Sequence, residues 1–384
     1  MKKILFVTSS SLEPKNYSGD TIRSLNIIKY LSKKNIVDVV CSSSNKNSTQ
    51  IKKSGKIYFF KTNNILLKLF YTFLALVKFK PLQVGYFFSK KIKKFLDNNC
   101  ENYDSIIFHM IRSAQYLPKN YKGKKILEMT DLGSNNYNQI KKYLSFFNLF
   151  YYLYFLESFL IKKYEKICVK LFDKTVIVSR KDLNNSDLQF NKKIIEITNG
   201  TKNEKKTFSF HKKNFKILFI GNINYLPNKY ACYDFSKNIL PRINSIYPEI
   251  EFHIIGTINR FDKLRLCFFK NVKVLGKINS LDKNIKLSVC GIANLRITTG
   301  VQNKVFTYMS YALPAIASAK SASGTKKILN NKNLLIYKNK KQFINKIIQL
   351  KTNKILANKL SKNSYSKIKK LSWENTLKDY NKII

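Results

Sequence analysis

The chain alternates short, apolar, β-prone runs with helical patterns, and it begins this alternation twice. The first series starts at residues 3–8 (KILFVT) and ends at residues 194–199. A polar, lysine-rich stretch at residues 201–214 interrupts it, and a second series runs from residues 216–222 (KILFIGN) to residues 334–339. Nearly continuous apolar strands that alternate with helices form parallel sheets covered on both faces. The pattern therefore predicts an α/β protein with two Rossmann-like domains.

The domain limits follow from the same pattern. We predict an N-terminal domain at residues 1–205, a C-terminal domain at residues 206–365, and a C-terminal helix at residues 366–384 that packs back on the first domain. Open parallel sheets bind ligands beyond the carboxyl ends of their strands. Two such sheets that face each other would form a deep interdomain cleft.

The composition is strongly basic and still that of a folded protein. The formal charge of +49 comes from 71 Lys and Arg against 22 Asp and Glu, while 44% of the residues are hydrophobic. Such a surface attracts polyanions, whether nucleic acid, anionic lipid or phosphorylated substrates. No nucleic-acid recognition motif accompanies the charge, so we predict no nucleic-acid partner.

Cysteine usage and the N-terminus bear on the location of the protein. The six cysteines lie far apart and form no CxxC pair or zinc-ligand spacing, which is typical of free thiols in a reducing compartment. The apolar run ILFV is too short for the core of a signal peptide. We therefore predict a cytoplasmic protein, with peripheral binding to the inner membrane as an open alternative.

Two aromatic, apolar stretches are flanked by lysines. They are residues 64–80 (NILLKLFYTFLALVKFK) and residues 143–161 (YLSFFNLFYYLYFLESFLI), and Glu157 is the only charge in the second. The second stretch is near the minimum length for a membrane span, yet it contains Ser145 and Asn148 as well as Glu157. Three interpretations stay open: a spanning helix, a helix at the membrane surface, and an ordinary core helix.

Several functional motifs are absent. The sequence has no GxGxxG after a strand, no P-loop, no HExxH and no Asp-x-Asp pair. These absences disfavour dehydrogenases, P-loop ATPases and zinc hydrolases. They also remove the usual carboxylate anchor for a metal-bound nucleotide sugar. We therefore predict neither a metal nor a cofactor.

A lysine in the first turn of a predicted helix points to an anion. In residues 298–318 (TTGVQNKVFTYMSYALPAIAS), Gly300 opens a helical pattern that Pro314 closes, and Lys304 lies in its first turn. The helix dipole disfavours a cation there unless an anion is also present. Because lysine is so common in this chain, an ordinary surface lysine is the alternative.

Seven segments, in order along nearly the whole chain, resemble the bacterial glycosyltransferases of family 4, which have the GT-B fold. Two of them resemble the "G-x-x-x-Y-x-PN" turn and the "G-x-QNK" motif of one branch of that family. The segments are SSSLEPKNYSGDTIRSLNIIKYL, EMTDLGSNNY, VIVSRKD, ITNGTK, LFIGNINYLPNKYACYDFSKNILP, LRITTGVQNKVFTYMSYALPAIAS and SWENTL.

The resemblance implies a nucleotide-sugar donor in the second domain, with its pyrophosphate against a helix N-terminus and Lys304. Free N–H groups, the helix dipole and an ammonium would all favour one dianionic ligand at this place. The resemblance also implies retention of anomeric configuration, in which the enzyme mainly stabilises the departing diphosphate. The donor-binding residues that it implies are Gly221, Asn222, Gly300, Val301, Gln302, Asn303 and Thr307.

Three positions depart from the family pattern. Glutamates usually stand where this chain has Thr299 and Thr307, and a basic residue frequently stands where it has Asn222. Threonine can make a neutral hydrogen bond to ribose, but not the charge-assisted pair that a carboxylate makes. These departures leave the donor open and make loss of activity an alternative.

The first domain supplies candidates for chemistry and acceptor binding. His109, at the end of a predicted strand, is a candidate catalytic residue that could act as a base or hold a sugar hydroxyl, or be a structural histidine. The arginines could neutralise phosphates or bind an acidic acceptor, or be solvated, and the aspartate could be a turn residue. The candidates on the acceptor or phosphate side are Gly19, Arg23, Arg112, Asp131 and Ser134.

The resulting prediction is a retaining GT-B glycosyltransferase. Its partners would be a nucleotide sugar, a surface-glycan or polyprenyl-linked glycan acceptor, and an anionic inner-membrane surface. Two alternatives stay open: a nucleotide-sugar epimerase on the same fold, and a degenerate, non-catalytic GT-B protein that binds membrane or partners.

Overall fold

The computed structural model describes residues 1–9, 12, 19–42, 55–184, 186–202, 204–298, 300–324 and 332–384. The described chain forms two compact units, of which the first is Met1–Asn199 with Thr376–Ile384 and the second is Gly200–Asn375. The limits between the units therefore fall after residues 199 and 375, where the sequence suggested 205 and 365.

The first unit is built around a seven-stranded parallel sheet in the order β3-β2-β1-β4-β5-β6-β7. Its central strands are fully buried, because helices cover both faces. The direction of the strand order reverses between β1 and β4, where strand ends of an open parallel sheet leave a crevice. The strands are β1 (Lys3–Thr8), β2 (Ile36–Ser42), β3 (Ile57–Phe60), β4 (Ser105–His109), β5 (Lys124–Thr130), β6 (Lys174–Ile177) and β7 (Ile194–Glu196).

Six α-helices accompany this sheet among the described residues. They are α1 (Gly19–Leu31), α2 (Ile65–Val77), α3 (Leu82–Tyr86), α4 (Lys90–Asn99), α5 (Gly133–Ile140) and α6 (Leu149–Leu171). The sequence from Asn136 to Lys170 has a continuous helical pattern that predicts one long helix, and the structure has α5 and α6 instead. The break comes because the side chain of Asn148 accepts a hydrogen bond from the Phe150 N–H at 2.9 Å and starts a new helix there.

The second unit contains a six-stranded parallel sheet in the order β10-β9-β8-β11-β12-β13, so the α/β class and both parallel sheets are confirmed. Here the strand order reverses between β8 and β11. The strands are β8 (Lys216–Ile220), β9 (Glu251–Ile255), β10 (Val272–Gly276), β11 (Ser288–Ala293), β12 (Ala315–Ser318) and β13 (Leu335–Tyr337).

The helices of the second unit follow the same alternation. A π-helical turn at Phe235–Ile239 joins the first two of them. The helices are α7 (Leu226–Asp234), α8 (Leu240–Asn244), α9 (Arg260–Cys267), α10 (Asp282–Ile285), α11 (Asn303–Ser310), α12 (Ala319–Ser323), α13 (Lys340–Thr352), α14 (Lys354–Lys369) and α15 (Trp373–Thr376).

Residues 366–384 do not form the single helix that the sequence suggested. They contain the end of α14, the short α15 and a 3-10 helix at Leu377–Lys382. The break follows α14 because the carbonyl of Leu371 accepts a hydrogen bond from the Thr201 N–H at 2.9 Å rather than continuing the helix. The last nine residues then belong to the first unit, where the Tyr380 hydroxyl donates to Glu128.

The two aromatic, apolar stretches form α2 and the first half of α6. Among the described residues, no helix is long and apolar enough to cross a membrane. The interpretation as core helices is wrong, because Ala75 is the only buried residue of α2, and α6 exposes most of its residues before Glu157.

Candidate functional site

The strand-order reversal of the second unit brings Lys304 beside Gly221. Gly221 follows β8, and Lys304 lies in the first turn of α11, which follows β11. A Cβ atom placed on Gly221 would lie 3.6 Å from Cε of Lys304 and 3.1 Å from Nδ2 of Asn228. The backbone of Gly221 therefore stands directly against the lysine, at the place where open parallel sheets bind their ligands.

Lys304 is a buried lysine with one neutral hydrogen-bond partner among the described residues. It is 8% exposed, its ammonium donates to Oδ1 of Asn228 at 2.6 Å, and it lies 4.2 Å from the centre of the Phe219 ring. No carboxylate in the described part of the chain forms an ion pair with it. Burial lowers the pKa of Lys304 to about 7. Because a buried charge is costly without a counter-ion, this geometry favours an anion beside the ammonium.

Asn228 is a site residue that the sequence analysis missed. It lies in the first turn of α7, and its Nδ2 donates to the carbonyl of Asn222 at 2.8 Å. This bond leaves the amide oxygen to accept from Lys304. The signal was present, because Asn228 is the last residue of the G-x-x-x-Y-x-PN pattern, which reads GNINYLPN at residues 221–228.

Tyr308 fixes α11 on the sheet. Its hydroxyl accepts from the Ile220 N–H at 2.9 Å and lies 3.1 Å from the carbonyl of Ile292. The ring occupies the space that a side chain at Gly291 would need, since a Cβ there would lie 2.3 Å from the ring. Tyr308 thereby ties the helix of Lys304 to both β8 and β11.

The other predicted donor residues near Lys304 differ in backbone conformation, hydrogen bonding and burial. Gly300 adopts a φ of +60°, which favours glycine, and leads the chain into α11. The hydroxyl of Thr307 donates to the Asn303 carbonyl at 3.1 Å, so it is bonded within its own helix. Thr299 lies outside the described residues. Of the remaining candidates, Asn222 is exposed, Gln302 and Asn303 are half-buried and Val301 is buried.

His109 lies at the strand-order reversal of the first unit, opposite Thr8 on β1. It is fully buried, and its Nδ1 lies 3.3 Å from the Thr8 hydroxyl, whereas its Nε2 has no hydrogen-bond partner among the described residues. Burial lowers the pKa of His109 to about 4, so the ring is neutral at neutral pH. The next residue, Met110, has a φ of +68°, a strained value of the kind found at functional sites.

Arg112 lies close to His109 on the same edge of the sheet. Its Nε donates to the Ser9 hydroxyl at 2.7 Å, and its guanidinium stacks 4.2 Å from the centre of the Phe87 ring. A guanidinium nitrogen lies 3.9 Å from the carboxylate of Asp20, which follows Gly19 at the start of α1. The structure therefore brings Asp20, His109 and Arg112 together, and Gly19 is the neighbour of Asp20 in the chain.

The prediction for Arg23 is wrong, both as a phosphate ligand and as a solvated residue. The side chain is fully buried, and its Nε and Nη2 donate to the two carboxylate oxygens of Glu128 at 2.8 and 3.1 Å. It also donates to the Asn199 side chain at 2.8 Å and the Ile197 carbonyl at 2.9 Å. These partners occupy the guanidinium, so Arg23 joins α1 to β5 and to the end of the first unit.

Ser134 is buried and has a structural role, like Arg23. Its N–H and hydroxyl donate to the carboxylate of Glu165 at 3.1 and 2.6 Å, which caps the start of α5. Asp131 is half-buried nearby, and burial together with Asp182 raises its pKa to about 7. Of these two acceptor candidates, Asp131 is the less buried residue.

Comparison with known proteins adds a family match in the second unit. Residues 214–353 match the model of a domain described as Glycosyl transferases group 1. Those residues contain β8 to β13 and Lys304. The comparison with curated proteins gave no match.

Solved structures resemble the chain over its whole length. TarM of S. aureus, solved with UDP, has a TM-score of 0.70 at 13% identity, over 100% of this chain and 99% of TarM. HepE of Anabaena, solved with UDP and glucose, has a TM-score of 0.67 at 11% identity, over 100% of this chain and 99% of HepE. WaaB, a lipopolysaccharide outer core galactosyltransferase, has a TM-score of 0.59 at 14% identity, over 99% of this chain and 98% of WaaB.

At such identities the likeness shows the fold, which is GT-B with two parallel-sheet α/β units. The domain match and the fold together support a glycosyltransferase, and the residues that match the Glycosyl transferases group 1 model lie in the unit that holds Lys304.

Proposed function

We propose that this protein is a retaining, family 4-like glycosyltransferase that moves a sugar, of the hexose type, from a nucleotide-sugar donor. Its acceptor is a surface glycan or a polyprenyl-linked glycan. The observation that carries the proposal is the buried ammonium of Lys304 beside the backbone of Gly221. Its hydrogen-bond partner, Asn228, is neutral, and both residues lie in the segment that matches the family model.

Lys304 acts on the leaving group in this mechanism. As the bond between the sugar and the diphosphate breaks, negative charge grows on the diphosphate oxygens. The ammonium and the N-terminal end of α11 stabilise that charge more strongly than they stabilise the intact donor. Retention then requires no nucleophile from the protein. UDP is the diphosphate to test first, because TarM and HepE were solved with it.

The first unit supplies the acceptor side. His109 is neutral and has a buried, unpaired Nε2 among the described residues, so it is suited to holding a sugar hydroxyl rather than a phosphate. Arg112, which keeps 14% of its side chain exposed, supplies a cation beside it. An acceptor that carries phosphate or other acidic groups fits this pair.

We propose further that transfer needs no divalent metal, since the sequence lacks an Asp-x-Asp pair that would hold a metal-bound diphosphate. Transfer in excess chelator should match transfer without it. A complete loss of activity that added metal restores would contradict this part of the proposal.

Lys304→Ala tests the donor site directly. UDP binding should weaken by about 1.5–3 kcal/mol, or about ten- to a hundredfold, because a charged hydrogen bond is lost. The melting temperature should stay the same or rise slightly, since a buried cation leaves a helix N-terminus. Isothermal calorimetry and thermal melts measure both effects.

Lys229→Ala is the matched control. Lys229 lies in α7 of the same unit, where its ammonium forms an ion pair with Asp262 at 2.6 Å. This variant removes the same charge and should leave UDP affinity unchanged. Wild-type protein without measurable affinity for any nucleoside diphosphate would favour the non-catalytic alternative.

A further inference from the structure

Helix α2 has an inverted distribution of polar and apolar residues. Ala75 is its only buried residue, while Lys68 and Thr72 are half-buried on the side towards the protein. The apolar residues recur at helical spacing on the opposite, exposed side. They are Leu66, Leu69, Phe70, Phe73 and Val77, each more than half exposed. A helix that packs on the core of a water-soluble protein would have its apolar side inward and its polar side towards solvent.

The first half of α6 shows the same inversion. Its one charged residue, Glu157, is buried and accepts hydrogen bonds from the backbone N–H groups of Leu82 and Gln83 at 2.6 and 3.1 Å. The residues that point to solvent are aromatic or aliphatic. They are Leu149, Phe150, Tyr152, Leu153, Phe155, Leu156 and Phe159. We call these residues and the five of α2 the α2–α6 face.

Helix α3 connects the two parts of this face. It packs so closely on α2 that a Cβ on Gly85 would lie 2.2 Å from the Tyr71 carbonyl. Glu157 of α6 caps the N-terminal end of α3. The side-chain amide of Gln83 in α3 donates to the Tyr137 hydroxyl of α5 at 3.4 Å. The α2–α6 face is therefore supported by one set of packed helices.

Lysines surround the α2–α6 face. The ammonium of Lys141 lies 4.5 Å from the centre of the Phe155 ring, and that of Lys163 lies 5.5 Å from the Phe159 ring. At the end of α2, Lys78 and Lys80 are exposed. An apolar surface with a border of ammonium groups matches the acyl chains and the phosphate groups of an anionic lipid leaflet.

We propose that the α2–α6 face inserts into the boundary between headgroups and acyl chains of an anionic bilayer. The inversion requires an apolar environment on the outside of both helices. A second copy of the chain fits less well, because each copy carries a formal charge of +49 and the same border of lysines.

This attachment would orient the acceptor side of the enzyme towards the membrane. Directly after α3, Phe87 stacks with the guanidinium of Arg112, and its carbonyl accepts from the Tyr116 hydroxyl at 2.7 Å. Arg112 therefore lies next to α3, the helix that connects the two parts of the α2–α6 face. As a route to a lipid-borne acceptor the inference rests on the proposed function, but the attachment itself can be measured without any donor.

Vesicle flotation with the full chain tests the attachment. The vesicles are phosphatidylcholine with about one third phosphatidylglycerol, which supplies the anionic charge. The variant Leu66→Gln/Phe70→Gln/Phe73→Gln keeps the net charge and alters only exposed positions, so folding should be retained. Its partition to vesicles should fall at least about tenfold, because three apolar side chains no longer enter the lipid.

The matched control is Phe261→Gln/Leu264→Gln/Phe268→Gln. It changes the same residue types at exposed positions of α9 and its C-cap, in the second unit, and should bind vesicles as the wild type does. Equal binding of both variants and the wild type, with full release by salt, would show electrostatic adsorption and overturn the insertion. A wild-type oligomer that ignores vesicles and dissociates in the α2 variant would overturn it in favour of a second copy.

A tryptophan reporter tests insertion itself. The chain has one tryptophan, Trp373. In a Trp373→Phe background, Phe73→Trp should shift its emission to the blue on vesicles, whereas Phe261→Trp should not. UDP calorimetry on the α2 variant separates the two proposals. If the variant keeps its UDP affinity and loses vesicle binding, the substitutions have removed membrane attachment and left the donor site intact. Vesicle binding by a protein that binds no nucleotide would contradict only the proposed function.

Discussion

The proton on Lys304 decides the charge of the proposed donor site. Burial lowers the pKa of this lysine to about 7, so a large share of the free protein carries it neutral at neutral pH. A bound diphosphate favours the charged form and raises the pKa again. Protonation of Lys304 and diphosphate binding therefore promote each other.

UDP affinity should therefore fall as the pH rises from 7 to 9. The expected decrease is about fiftyfold, because a free lysine with a pKa of about 7 is about half protonated at pH 7 and about 1% protonated at pH 9, and binding must restore the proton. Calorimetry in buffers with different ionisation enthalpies measures that proton. Lys304→Arg stays charged throughout and should lose the dependence. The same pH profile in both proteins would mean that another group titrates.

Asn228→Asp places a carboxylate where a neutral oxygen now lies 2.6 Å from the ammonium of Lys304. The new ion pair should neutralise the site, so UDP affinity should fall at least about tenfold while the melting temperature rises or holds. Asn228→Ala removes the hydrogen bond and leaves the charge, and should bind UDP far better than the aspartate variant. If Asn228→Asp binds UDP like the wild type, the diphosphate does not lie at Lys304.

Single residues show what the sequence could and could not predict. The position of Lys304 in the first turn of a helix followed from local spacing, and the structure has it there. The burial of Arg23 and Ser134 did not follow, because their partners Glu128 and Glu165 are distant in the chain. Local patterns place a residue on an element, whereas contacts between distant elements decide whether it is free to bind a ligand.

Helix α6 organises two neighbouring helices through its buried glutamates. Glu157 accepts from the start of α3, and Glu165 accepts from the start of α5. In both cases burial raises the pKa of the glutamate, while the donated N–H groups act in the opposite direction. For Glu165 the pKa rises to about 7. The cap is therefore made by a carboxyl group that ionises near neutral pH.

Glu165 makes the first unit less stable as the pH rises. Its folded pKa lies above the ordinary value of 4.5, so the stability it contributes is complete below pH 4.5 and is lost as the pH rises through about 7. Glu165→Gln should remove this loss, worth up to about 3 kcal/mol. Urea unfolding at pH 5 and pH 8 measures the difference. The exposed Glu101→Gln should behave as the wild type, and a parallel pH dependence in Glu165→Gln would contradict the assignment.

At the scale of elements the sequence predicted strands better than helices. Runs such as residues 3–8 (KILFVT) and 105–110 (SIIFHM) have three or four consecutive apolar residues at their centres, and they contain the strands β1 and β4. The inverted helix α2 could not be recognised, because residues 64–80 have the same spacing whether the apolar side faces a core or the outside. Only the packing of Ala75 and Gly85 decides which side faces inward.

The whole molecule places its two candidate sites at equivalent positions. His109 lies at the reversal between β1 and β4, and Lys304 lies at the reversal between β8 and β11. Two series of strands and helices in the sequence were enough to predict both sheets. The return of the chain to the first unit was harder to place, because Tyr380 and Glu128 are 252 residues apart and no local pattern links them.

Deletion of Thr376–Ile384 should therefore destabilise the first unit specifically. Leu377 and Tyr380 are fully buried in it, and the Tyr380 hydroxyl donates to the glutamate that holds Arg23. Their loss should cost about 3–5 kcal/mol, since two large side chains leave a cavity beside a buried ion pair. Hydrogen exchange should accelerate in β1, β4 and β5 and stay unchanged in β8 and β11.

Two point variants separate the causes of this loss. Tyr380→Phe removes only the hydroxyl and should cost about 1–2 kcal/mol, with the same pattern of faster exchange confined to the first unit. Lys382→Ala changes an exposed residue of the same segment and should leave exchange as in the wild type. Because the donor site lies in the second unit, UDP affinity should survive all three changes. Faster exchange in β8 and β11 of the truncated protein would show that the last nine residues stabilise both units rather than the first alone.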